Sequence, residues 1–169
     1  MLLPVLAVNS LPVAVFSALP KVMLTDVLGV ALWVGGWTFE VTADQQKSQW
    51  MKEKKEKKHS EEFLTRGLWS KSRHPNYFGE ITLWTGVATL AAGVLATRAG
   101  LTGIGLSSGA TGQAAAIAMA GVSPAFTTFL LTQVSGIPMS EQKYDKRYGD
   151  KPEYKKWKEN TPMLIPKLF

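Results

Sequence analysis

Apolar and charged residues are segregated along this chain into long blocks. Four apolar blocks stand out, at residues 2–19, 22–41, 81–97 and 114–134. Each approaches the length of about 20 residues that a helix needs to cross the hydrocarbon core of a bilayer. The pattern predicts an all-α protein: a transmembrane helical bundle of three or four spans, one membrane domain covering residues 1–169. The second and fourth blocks are the cleanest. The first carries Pro4 and Pro12, with Asn9 and Ser10 between them. It reads as a kinked span, a re-entrant piece or the remnant of a span. No basic stretch precedes it, which argues against a secretory leader. Shorter helices outside the spans are expected around residues 63–70 and 141–160.

The charges explain how the blocks are oriented. Nine Lys or Arg fall between Lys47 and Arg73, and eight between Lys143 and Lys167; only Lys21 and Arg98 lie elsewhere. Two spans separate the basic regions, so a four-span arrangement puts 17 of the 19 basic residues on one face. An excess of Lys and Arg marks cytosolic loops. The expected protein is therefore multi-pass, with the basic loop and the C-terminal tail in the cytosol. The stretch MKEKKEKKHSEE is a solvated helix face or a loop, and its lysines are also suited to anionic headgroups. The loop RAGLTGIGLSSGATGQ is expected to be a flexible connection on the opposite side. Its glycine spacing is not a dinucleotide fingerprint, because no strand precedes it.

Within the spans, Gly29, Gly35 and Gly36 predict close helix packing. Pro124 predicts a kink, its backbone gap covered by Ser123 or Thr127. The tail segment PMLIPKLF is expected to pack in extended form.

Composition removes several functions. There is no cysteine, and His59 and His74 are the only histidines, so no metal site is expected. The net charge of +6 does not point to nucleic acid, since the basic residues adjoin spans and alternate with acids.

Two places carry candidate chemistry. Glu40 and Asp44 lie four apart at the polar end of the second block, on one face of a helix. They either end that helix or serve a function; acids there oppose the helix dipole, and carboxylates near a membrane are costly. The second place is SRHPNYFGE, residues 72–80. Pro75 suits a first helical position. Asn76, Tyr77 and Glu80 then occupy the first turns, with Arg73 and His74 beside the helix start. A helix N-terminus with an arginine beside it favours an anionic group. Asn76 and Glu80, about one turn apart, are placed to face one ligand.

The segments FEVTADQQK, GLWSKSRHPNYFGEITLWTG and YKKWKENTPMLIPKLF together resemble the C-terminal region of the steroid 5-alpha-reductase family. More closely, they resemble its branch known as the domain of unknown function 1295 family. The likeness runs over residues 36–169 and extends more distantly to isoprenylcysteine carboxyl methyltransferases. It implies an endomembrane protein, of the endoplasmic reticulum or a related membrane. It further implies NADPH as cofactor and hydride transfer to a carbon–carbon double bond conjugated to a carbonyl in a steroid or other lipid. Glu40 and Asp44 match positions near the cofactor. Asn76 and Glu80 match residues at its nicotinamide end, and Arg147 and Tyr148 lie where the phosphate-bearing part is handled. Arg73, His74 and Tyr77 complete the implied cofactor set. The Arg-His-Pro-x-Tyr pattern is shared with the methyltransferases, which makes AdoMet the alternative cofactor.

One departure is informative. The reductases polarise the substrate carbonyl with a carboxylate and a tyrosine from earlier helices. The first apolar block here has neither; its polar side chains are Asn9, Ser10 and Ser17. No catalytic residue is assigned. Either another group substitutes, or the chain is part of a longer protein, or a partner chain supplies the missing helices. A non-enzymatic membrane protein that keeps the fold is the remaining reading.

Overall fold

The computed structural model describes residues 3–19 and 22–167; Lys21, one of the two cations placed on the far side of the spans, lies outside the described residues. Regular structure among the described residues is entirely helical. The elements are α1 (Leu3–Asn9), α2 (Val13–Ser17), α3 (Leu24–Lys55), α4 (Pro75–Leu95), α5 (Arg98–Gly103), α6 (Ala110–Phe129), α7 (Gly136–Tyr148) and α8 (Pro152–Asn160). A 3-10 turn, Gly67–Ser70, precedes α4, and a π-helical turn, Leu130–Val134, precedes α7.

Two helical stretches are long and apolar enough to cross a membrane: Pro75–Leu95 and Ala110–Tyr148. In the second, the apolar part ends at Val134, before the charged face of α7 begins at Glu141. Only 28% and 22% of their apolar windows are buried, less than the core helix of a soluble domain usually buries. Val27, Val30, Trp33, Val34 and Trp37 of α3 are exposed as well. In water such a surface would drive aggregation.

The first block is two short helices divided at Ser10–Pro12, because Pro12 has no N–H to continue a helix. The second block does not stop at Val41. Lys, Glu and Gln favour helix, and α3 continues through them to Lys55. There Lys57 takes a φ of 58°, and the Lys58 N–H reaches back to the Glu53 carbonyl at 2.9 Å, closing the helix end. Asp26 caps the other end by accepting the Met23 N–H at 2.8 Å. The expected flexible loop after α4 contains α5 instead. Thr97 caps it through the Gly100 N–H at 3.0 Å, and Leu101 is fully buried.

The chain divides into two compact units, residues 1–35 with 81–129 and residues 36–80 with 130–169. The core of the first unit is Leu11, Val15, Ala91, Leu95, Leu101, Ala116 and Ala120. Gly29 packs against α4: a side chain there would meet Leu90 Cγ at 2.6 Å and the Gly86 carbonyl at 2.9 Å. Gly35 faces open space, so the packing role expected of it is not seen. Pro124 lies inside α6, and the Thr127 hydroxyl bonds the Ser123 carbonyl at 3.0 Å.

The second unit is built on aromatic rings. Trp50, Leu64 and Trp69 form one buried group. Phe63 contacts Tyr148, Tyr154 and Trp157, with ring centroids 5.4–5.7 Å apart. The tail after α8 runs beside the backbone that precedes α4. The Arg73 N–H donates to the Pro162 carbonyl (2.9 Å) and the Lys167 N–H to the Lys71 carbonyl (3.0 Å).

Candidate functional site

The second unit contains a cavity of about 500 Å³. That volume suits a small-molecule ligand. Its position follows from three local features of the sequence. The polar half of α3 presents Lys47, Trp50 and Lys54 on one face, at helical spacing. The 3-10 turn supplies Trp69, whose indole N–H donates to the Ala43 carbonyl at 2.9 Å. The start of α4 is fixed by Ser72, fully buried, whose hydroxyl accepts the His74 N–H (3.1 Å) and donates to the Leu164 carbonyl (2.8 Å). Pro75 is the first residue of α4, as its fixed φ predicts.

Of the nine residues singled out in the sequence, Arg73, His74, Asn76, Tyr77, Arg147 and Tyr148 line this cavity. The His74 and Tyr77 rings stack with centroids 5.5 Å apart and planes 7° apart. The Tyr148 hydroxyl is committed to the Glu62 carbonyl at 3.0 Å. The Arg147 guanidinium lies over the Tyr148 ring, 5.2 Å from its centre.

Glu40, Asp44 and Glu80 do not line the cavity. They form an acidic group beside it: the Glu80 and Asp44 charges act on Glu40, the Asp44 charge acts on Glu80, and both reach Tyr77 on the cavity wall. Gly79 brings α4 against α3 at this point, since a side chain there would meet the Glu40 backbone at 2.6–2.8 Å. Asn76 thus lines the cavity, while Glu80, one turn further along α4, lies with Glu40 and Asp44. No group of three metal-ligating side chains occurs among the described residues.

The cavity wall is basic and aromatic. Its cations are Lys47, Lys54, Lys55, Arg73, Lys143 and Arg147, and its acids are Glu62 and Glu141. Both acids are already paired, Glu62 with Lys151 and Glu141 with Arg73 and Lys158. Among the described residues, Lys47, Lys54, Lys55, Lys143 and Arg147 have no carboxylate partner. Lys47 and Lys54 lie over the Trp69 and Trp50 rings, at 5.1 and 4.6 Å, and Lys54 Nζ also donates to the Glu62 backbone carbonyl at 2.6 Å. The site thus offers positive charge and flat apolar faces together, which suits an anionic ligand with aromatic rings.

Three polar atoms on residues lining the cavity are buried without a hydrogen-bond partner: Arg73 Nε, Asn76 Oδ1 and Trp157 Nε1. A desolvated polar atom left unpaired costs about 1–3 kcal/mol.

Glu141 was not visible as a site residue in the sequence. Burial raises its carboxyl pKa, but hydrogen bonds from His74 and Lys158 and the Arg73 charge outweigh burial and hold it at about 2. Trp50, Trp69, Tyr144 and Trp157 were also missed as lining residues, and Tyr154 with them. The i, i+4 spacing of Tyr144 and Tyr148 was the one local signal for any of these.

A family model described as a protein of unknown function, DUF1295, matches residues 2–161. No curated protein and no solved structure matches the chain.

Proposed function

Because the chain belongs to the DUF1295 family, whose description assigns no activity, we propose a function from the cavity itself: a membrane-embedded, NADPH-dependent reductase-like protein. The observation that carries this reading is the cavity wall, where five cations without carboxylate partners adjoin tryptophan and tyrosine rings. A dinucleotide phosphate carries several negative charges and two ring systems. The cations suit its phosphates and the aromatic faces its rings. The unpaired Asn76 Oδ1 suits an amide N–H such as that of a carboxamide. AdoMet carries a sulfonium and a net positive charge, which the same wall repels.

Bound NADPH supplies a hydride, here to a carbon–carbon double bond conjugated to a carbonyl in a steroid or other lipid. The chain's own part is to bind the cofactor and hold it. Lys47, Lys54, Lys143 and Arg147 attract its anionic groups, and Trp50 and Trp69 wall one side against water. Polarising the substrate carbonyl needs an acid. The first apolar block offers none, and the Ser10 and Ser17 hydroxyls already donate to the Ala7 and Ala14 carbonyls at 2.8 Å. A partner chain or further helices would supply that acid. The same observation favours a second reading, a membrane protein that keeps the fold without catalysis.

The proposed placement is multi-pass in an endomembrane such as the endoplasmic reticulum. Three or four spans include the apolar part of α3, and the cavity and tail lie in the cytosol, following the charge bias. Calorimetric titration of the detergent-purified chain with NADPH and, separately, AdoMet tests the reading. NADPH binding alone is expected. AdoMet binding alone moves the protein to methyl transfer, and binding of neither leaves the non-catalytic reading.

A further inference from the structure

Glu141 holds three partners at once. Its Oε2 pairs with Arg73 Nη1 and lies 3.0 Å from Lys158 Nζ, while its Oε1 lies 3.0 Å from His74 Nε2. Little of this group faces solvent: side-chain exposure is 19% for Glu141, 12% for Arg73 and 6% for His74. From these contacts we infer that Glu141 is the positioning residue of the cavity, acting through Arg73 and His74.

The argument is one of remaining partners. Arg73 Nε has none, and the Arg73 backbone is tied to the tail. Glu141 is therefore the sole carboxylate fixing the guanidinium among the described residues. Without it a half-buried cation would stand unpaired and would turn away from its present place. Glu141 holds the His74 ring at its Nε2 edge and Tyr77 stacks on its face, so the carboxylate also restrains the ring against which Tyr77 stacks. Lys158 extends the network. It bonds Asp145 at 2.6 Å, and Asp145 accepts the Tyr154 hydroxyl at 2.9 Å. One carboxylate on α7 thus connects the start of α4 to α8.

The affinity readout of this inference rests on the NADPH reading; the spectroscopic readout does not. In the chain of residues 1–169, Glu141→Gln is expected to weaken NADPH binding about tenfold or more, because displacing Arg73 from the cavity wall outweighs the removal of one negative charge from it. In an Arg73→Gln background the same change should add less than about threefold, because the two act as one unit. A merely structural glutamate would lower affinity equally in both backgrounds, and that result overturns the inference. Nitrogen NMR of the ligand-free chain gives the second readout. Glu141→Gln is expected to shift the His74 ring resonances, and unchanged resonances overturn the inference too. If the wild-type chain fails to bind NADPH, the cofactor reading falls while the His74 signals still decide the role of Glu141. Should Glu141→Gln not fold, Glu141→Asp reads the same two signals: it keeps the charge but moves it back by one methylene, so weaker binding and shifted His74 resonances are expected, and wild-type values for both overturn the inference.

Discussion

Trp69 donates its indole N–H to the backbone carbonyl of Ala43, 26 residues earlier, at 2.9 Å. That bond ties the turn before α4 to the polar half of α3, and both elements line the cavity. Trp69→Phe keeps a ring beneath Lys47 and removes the bond. A loss of more than about 1 kcal/mol is expected, from one buried neutral hydrogen bond and the smaller ring's lost packing against Trp50 and Leu64. Thermal melting in detergent measures it, and an unchanged midpoint would show that the bond does not hold the turn.

Ser72 is a second anchor of the same segment. It is fully buried, accepts the His74 N–H and donates to the Leu164 carbonyl. Ser72→Ala should cost about 1–3 kcal/mol, because the His74 N–H and the tail carbonyl both lose a partner in a dry site. Hydrogen exchange should show faster exchange at His74 and Arg73. Exchange as slow as in the wild type would mean that the tail contacts hold this backbone without the hydroxyl.

The Glu141 carboxyl sits at about 2 against an ordinary 4.5. A folded-state value below the unfolded one contributes stability that is fully present above the unfolded value and is lost as pH falls through the folded one. The window is therefore from about pH 4.5 down to about 2. Acid unfolding of Glu141→Gln should be flatter across that window than that of the wild type. Equal slopes would show that the ion pairs of Glu141 do not act on stability.

Much of the helical layout was readable from local chemistry. Pro75 opens α4 because its missing N–H and fixed φ suit that position, and the apolar run behind it carries the helix to Leu95. The Ser72–Tyr77 stretch was readable as a site because polar groups are concentrated against an apolar helix, and four of its residues line the cavity. The extent of α3 was not readable. MKEKK reads equally as loop or helix, and the stop depends on the conformation of one residue, Lys57. Glu141 was invisible for a different reason. Its partners Arg73 and His74 lie 68 and 67 residues away, and no spacing rule pairs side chains at that range. The grouping of Glu80 with Glu40 and Asp44 was unreadable for a related reason: it depends on the close approach of α3 and α4 at Gly79, which no spacing rule along the chain gives.

The most direct measurement is quenching of tryptophan fluorescence by NADPH in the wild-type chain and in Asn76→Ala, since Trp50, Trp69 and Trp157 all line the cavity. The account predicts saturable quenching in the wild type. It also predicts about tenfold weaker binding in the variant, the loss of one buried polar contact worth about 1–3 kcal/mol. Saturable quenching with the same affinity in both proteins would contradict the placement of the ligand, and its absence in the wild type would contradict the cofactor itself.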